Sequence, residues 1–82
     1  MYMAQTVFID NVPVAKLSLI ETTLASAPGL QSAERLHDKV TGKDLGTIFC
    51  RIHDGEFEKF KGFLESQKEW SSSITIREGV TL

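Results

Sequence analysis

The hydrophobic pattern of this chain changes between the periodicity of strands and that of helices. The order of these segments is the feature that most restricts the possible fold. Segments 6–10, 46–53 and 72–78 alternate apolar and polar residues, which is typical of strands with one buried face. Segment 30–37 has a mixed pattern, but it is short and lies between breakers, so it is also predicted to be a strand. In the two long segments that remain between these strands, apolar residues recur at helical spacing. The predicted order is strand, helix, strand, strand, helix, strand.

The first helix has two possible starting points. Ser18 and Glu21 have the S-x-x-E form of a capping box, which predicts a helix from Ser18 to about Ala27. Pro13 suits the first turn of a helix, so a start near Val14 is an alternative. The side chains expected to face the core are Ile20, Leu24 and Ala27.

The second helix is predicted to begin at Asp54, a good N-cap residue, and to run to about Lys68. Its apolar face is expected to carry Phe57, Phe60 and Leu64, with Phe63 and Trp70 on the flank.

This element order predicts a ferredoxin-like α+β fold. A helix between two strands makes a right-handed crossover, which gives a strand–helix–strand unit. Two such units joined by a hairpin form a four-stranded antiparallel sheet with both helices on one face. We expect one domain over residues 1–82, with its core in residues 6–78. The inward-facing strand residues are Val7, Ile9, Ile48, Cys50, Ile52, Ile74 and Ile76. The other sheet face, here called the open face, is expected to carry Phe8 and Phe49.

Composition restricts the function and the compartment. Nine Lys and Arg against eleven Asp and Glu give a net charge of −2, so binding to nucleic acid by net charge alone is excluded. The single Cys50 rules out an internal disulfide framework and indicates a reducing, intracellular compartment. The sequence shows no apolar run of about 18 residues and no secretory signal, so no membrane partner is expected.

Two motifs carry a family resemblance. VFIDNV, residues 7–12, has the pattern aliphatic, aromatic, aliphatic, any, Asn, aliphatic. HDKVTGKDLG, residues 37–46, contains D-x-x-T-G-x-x-x-G between the second and third predicted strands. Over residues 6–78 the chain resembles the RNA recognition motif family, whose fold is the one predicted above. The loop residues that carry the resemblance are Asp38, Thr41, Gly42 and Gly46.

The chain departs from the family pattern in its longer motif. The family favours basic, Gly, aromatic, small, aromatic, aliphatic, any, aromatic, whereas residues 45–52 read LGTIFCRI. Gly46 and Phe49 agree, but Thr47 stands in place of the first aromatic residue. The second helix also has phenylalanines where the family often has alanines, which implies altered packing of that helix on the sheet.

The resemblance implies a platform for single-stranded RNA, with bases stacked on Phe8 and Phe49. Thr47 leaves the platform without its usual third aromatic residue, and Asp10 on the same face is expected to repel phosphate. Basic residues that could contact phosphates are Arg51, Arg77, Lys39 and Lys43. The full set of candidate RNA-contacting residues is Phe8, Phe49, Arg51, Arg77, Asn11, Thr47 and Lys43. No cofactor and no catalytic residue is implied.

Other functions fit the same fold. The open face could bind a peptide or a second copy of the chain, or residues 80–82 could cover it. A small phage or regulatory inhibitor is a further alternative. Acylphosphatases share the element order but use an arginine after the first strand, where this chain has only Lys16.

The sequence also argues against metal binding and against a cysteine nucleophile. His37, His53 and the inward-facing Cys50 lack the spacing of a metal site. Cys50 in apolar surroundings is expected to be inert.

Overall fold

The computed structural model describes residues 4–81, and its elements follow the predicted order. A 3₁₀ turn begins at Val14, near the alternative start, and the α-helix itself begins at Leu17, one residue before Ser18. The elements are β1 (Ala4–Asp10), a 3₁₀ turn (Val14–Lys16), α1 (Leu17–Leu24), β2 (Leu30–His37), β3 (Asp44–His53), α2 (Phe57–Glu65) and β4 (Thr75–Thr81).

The four strands form one antiparallel sheet in the order β2-β3-β1-β4. The central strands β1 and β3 pair Val7 with Cys50 and Ile9 with Ile48, so their inward residues face each other directly. Both helices cover this side of the sheet. The ferredoxin-like α+β fold predicted from the element order is therefore confirmed, and the opposite side of the sheet is the open face.

A single hydrophobic core fills the space between the helices and the sheet. Phe60 and Leu64 of α2 are completely buried in it, as their spacing predicts. Trp70, expected on the flank, is instead part of the core with 2% of its surface exposed, because the turns that follow α2 bring the indole back against the sheet. The core residues are Val7, Ile9, Val12, Leu17, Ile20, Leu24, Ile48, Cys50, Ile52, Phe60, Leu64 and Trp70.

The predicted capping box at the start of α1 does not form. The helix already begins at Leu17, so Ser18 and Glu21 lie inside its first turns, and no side chain caps the N-terminus. Both side chains turn toward Arg35 on β2, whose guanidinium lies 2.6 Å from the Glu21 carboxylate and 3.2 Å from the Ser18 hydroxyl. Ser18 and Glu21 of the S-x-x-E pattern therefore link α1 to the edge strand β2 through Arg35.

The second helix is shorter than predicted at both ends. The chain turns after β3, with the Glu56 N–H donating to the carbonyl of His53 at 3.1 Å, so Asp54 lies in the turn and does not cap the helix. The helix ends at Glu65, and further turns precede β4, which starts three residues later than expected. Neither helix within residues 4–81 is long and apolar enough to cross a membrane.

A bulge near the start of β3 changes its register with β2. From Arg35 to His37, β2 advances two residues while β3 goes from Ile48 to Asp44, which is four. Gly46 lies in this irregular stretch with φ of 73°, a left-handed conformation that favours glycine. Its carbonyl accepts a hydrogen bond from the Val12 N–H at 2.9 Å, which ties the bulge to the end of β1.

Asp38 closes the loop between β2 and β3. Its carboxylate accepts hydrogen bonds from the backbone N–H groups of Val40 and Thr41, at 2.8 and 2.9 Å. These donors, that of Thr41 foremost, lower the pKa of the Asp38 carboxyl. The Gly42 N–H donates to the Asp38 carbonyl at 2.8 Å. The polar residues of D-x-x-T-G therefore satisfy the backbone of a tight hairpin.

Candidate nucleic-acid interface

One row of side chains crosses the open face at right angles to the strands, with one residue from each strand. Phe8 of β1 lies opposite Phe49 of β3 and, on its other side, opposite Arg77 of β4. Glu34 of β2 lies opposite Phe49. Facing residues of antiparallel strands project to the same side of the sheet. The resulting order, here called the aromatic row, is Glu34, Phe49, Phe8, Arg77.

The two rings at the centre of the row touch each other. Their centroids lie 5.0 Å apart and the ring planes are tilted by 51°, a geometry that aromatic pairs favour. Both side chains are only partly buried. They belong to the two central strands, each of which pairs with a strand on both sides.

Gly79 of β4 leaves room for the Phe8 ring. A β-carbon at this position would lie 3.0 Å from Phe8 Cε2 and would collide with the hydroxyl of Thr6. Any larger residue at position 79 would therefore push against one member of the aromatic pair. The sequence gives no sign of this requirement, because it arises only when β4 lies beside β1.

Arg77 covers part of the Phe8 ring and is held there by Asp10. Its guanidinium carbon lies 4.4 Å from the ring centroid, which is a cation–π contact. Arg77 Nε donates to Asp10 Oδ2 at 2.8 Å, and the Thr47 hydroxyl donates to Asp10 Oδ1 at 3.0 Å. The carboxylate that was expected to repel phosphate is therefore paired with a cation.

This network lowers the pKa of the Asp10 carboxyl. The hydrogen bond from Arg77 is the main cause; partial burial opposes it, and the Thr47 hydroxyl adds to the lowering. A carboxyl whose pKa is lower in the folded state stabilises the fold above its unfolded pKa of about 4. That contribution is lost as the pH falls through the lower, folded-state pKa.

Asp10→Asn should therefore reduce the amount of stability that the domain loses on acidification. Urea unfolding at pH 7 and at pH 3 measures this difference: the variant should be less stable than wild type at pH 7 and should approach it at pH 3. The matched control is Asp54→Asn, since Asp54 is exposed and has no ion pair within residues 4–81. Equal losses on acidification in wild type and Asp10→Asn would show that the pair does not stabilise the fold.

Glu34 stands at the other end of the aromatic row. The next residue, Arg35, reaches α1 on the helix side of the sheet, so the alternation of β2 directs Glu34 to the open face. Glu34 is exposed and forms no ion pair within residues 4–81. The Glu34 carboxylate beside Phe49 can therefore accept hydrogen bonds from a ligand, whereas the Asp10 carboxylate is paired with Arg77.

The remaining predicted RNA-contacting residues lie around this row. Arg51 follows Phe49 on the same face, opposite Thr6, and is exposed with no ion pair in the described part of the chain. The Asn11 side chain donates to the Thr75 hydroxyl at 2.9 Å, at the end of β1. Lys43 is exposed in the hairpin loop and lies outside the aromatic row, as does Lys39.

Three further sequence-based expectations concern metal binding, the Cys50 thiol and the C-terminal residues. Residues 4–81 contain no group of three or more His, Cys, Asp and Glu side chains placed to hold a metal. Burial raises the pKa of the Cys50 thiol to about 12, so at neutral pH it is the un-ionised form that lies in the core. Residues 80 and 81 continue β4 and do not fold back over the sheet, while Leu82 and residues 1–3 lie outside the described part.

Comparison with known proteins agrees with this architecture. No family model matches the sequence, and no curated protein matches it significantly. The chain is similar to the crystal structure of the first two RRM domains of the yeast poly(U) binding protein Pub1, with a TM-score of 0.74 and 14% sequence identity. The match covers 94% of this chain and 48% of that chain, so this chain spans about half the length of the structure it matches. The domain therefore has the fold of an RNA recognition motif.

Proposed function

We propose that this domain binds single-stranded RNA on its open face, with bases stacked on Phe49 and Phe8. The observation that carries the proposal is the pair of touching, partly exposed rings on the two central strands. Single-stranded RNA offers splayed bases whose flat faces stack on such rings, and each stack contributes about 1–3 kcal/mol by alanine substitution.

A base that stacks on Phe8 competes with Arg77, whose guanidinium already lies over that ring. An incoming base either displaces the guanidinium from the ring or stacks on the outer plane of the guanidinium, which is itself flat. Either arrangement keeps a cation close to the RNA. Arg51, exposed on the same face, can contact a phosphate directly.

The proposed activity is binding, with no reaction and no cofactor. The structural neighbour is named a poly(U) binding protein, which supports an RNA ligand for a domain of this fold. Few basic residues face the open side, and the net charge is −2, so affinity should depend on stacking more than on counterion release.

An NMR titration with a random-sequence RNA hexamer tests this proposal. We expect the ring resonances of Phe8 and Phe49 to shift as RNA is added, because the stacked bases lie directly over them. The ring of Phe63 packs against the core on the helix side of the sheet and serves as an internal reference that should not move. Absence of any shift at Phe8 and Phe49 at millimolar RNA would refute RNA binding on this face.

A further inference from the structure

We infer that Glu34 makes the site selective for guanine at the base stacked on Phe49. The inference rests on the proposed function, because it concerns the identity of a base that the open face must first bind. It assigns a role to a residue that the sequence patterns did not mark as part of the site.

Geometry places the Glu34 carboxylate at the edge of that base. Glu34 and Phe49 are directly opposite each other on β2 and β3, and facing side chains have β-carbons about 5 Å apart. A base stacked on the Phe49 ring has part of its perimeter on the β2 side, away from Phe8. Glu34 is therefore the residue from β2 that meets the outer edge.

Hydrogen-bond chemistry then separates the four bases. An ionised carboxylate only accepts hydrogen bonds. The Watson–Crick edge of guanine presents two adjacent donors, N1–H and the 2-amino group, which match the two carboxylate oxygens. Adenine and cytosine each present one amino group next to an acceptor nitrogen. Uracil presents a single N3–H between two carbonyl oxygens. The negative carboxylate repels these two oxygens.

The charge distribution along the aromatic row makes this selection effective. The other carboxylate on the open face, Asp10, is paired with Arg77, whereas Glu34 has no cation partner within residues 4–81. An unpaired carboxylate beside RNA disfavours every base that cannot donate to it. Charge-assisted bidentate hydrogen bonds are among the strongest available to a side chain, and guanine alone supplies a matching pair of donors.

The test compares four RNA hexamers that differ only at position three: UUUUUU, UUAUUU, UUCUUU and UUGUUU. Dissociation constants from fluorescence anisotropy should show the guanine hexamer binding roughly 5- to 150-fold more tightly than the uridine hexamer, the range expected for one bidentate contact. Replacing guanine by inosine, which lacks the 2-amino group, should give an intermediate affinity. Equal affinities for all of these hexamers would overturn the assignment.

The variant Glu34→Gln assigns the preference to this residue. It keeps the side-chain shape but loses the second acceptor oxygen and the charge, so the ratio of guanine to uridine affinity should fall severalfold. Glu58→Gln removes the same charge from an exposed position on α2, on the helix side, and should leave the ratio unchanged. An unchanged ratio in Glu34→Gln would overturn the role of Glu34.

These outcomes are separable from failure of the proposed function. Binding of all hexamers with equal affinity, accompanied by shifts at Phe8 and Phe49, overturns the selectivity and leaves RNA binding intact. No detectable binding of any hexamer overturns both.

Discussion

Replacing Phe8 and Phe49 together by alanine is expected to weaken RNA binding by about 2–6 kcal/mol if the two stacking contributions add. Each ring supplies one flat surface, and both are held by neighbouring central strands, so the double variant loses the whole platform. Isothermal titration calorimetry with the random hexamer measures the loss. Because neither ring is in the core, the variant should still unfold cooperatively.

A variant on the opposite side provides the control for this measurement. Leu19 is 43% exposed on α1, so Leu19→Ala removes an apolar side chain from the surface without touching the open face. Its RNA affinity should equal that of wild type. If the double phenylalanine variant unfolds or loses a dimer that wild type forms, then protein covers the rings, and the open face is an interaction surface for another chain.

Phe60→Ala should cost about 3–5 kcal/mol of the free energy of unfolding. The Phe60 side chain is completely buried between α2 and the sheet, so the substitution leaves a cavity that the surrounding residues fill only in part. Small domains have about 5–15 kcal/mol of stability in total. Urea unfolding followed by circular dichroism should therefore show a midpoint far below that of wild type.

The neighbouring residue supplies the matched control. The Lys59 side chain is 72% exposed on the same helix, and its ion pair with Glu56 lies at the surface. Lys59→Ala should change the free energy of unfolding by no more than about 0.5 kcal/mol. A urea midpoint that Phe60→Ala leaves almost unchanged would contradict the packing of α2 on the sheet.

The fold was predictable from the sequence because its core residues follow strict periods. Val7 and Ile9 on β1, and Ile48, Cys50 and Ile52 on β3, occupy alternate positions, and all five are buried. Burial of one face fixes which side of a strand points inward, since a shift of one residue would expose the whole set. The same periodicity placed Phe8 and Phe49 on the open face.

The residue of β2 that lies opposite Phe49 could not be predicted from this periodicity. Counting back from the pair His37–Asp44 without an irregularity would place Glu34 opposite Thr47. The bulge around Gly46 moves Glu34 opposite Phe49. A glycine in a strand pattern indicates such a bulge, but the pattern does not give the number of extra residues, which follows only from the pairing of β3 with β2.

The Asp10–Arg77 pair was also beyond the reach of sequence patterns. The two residues are 67 positions apart, and their contact depends on the register between β1 and β4. β4 begins three residues later than its alternation suggests, and a further irregularity separates the pairs of Gln5 and Val7. The sequence places both residues on the open face, but it predicts that Asp10 repels phosphate and that Arg77 contacts it.

The guanidinium over Phe8 has a consequence for the domain while no ligand is bound. Two adjacent aromatic rings on a flat surface favour self-association, since two copies could bury them against each other. Arg77 covers part of one ring with a charged guanidinium, and Asp10 keeps it there. A second copy of the chain would have to displace this cation before it could pack on Phe8, as a base would under the proposed function.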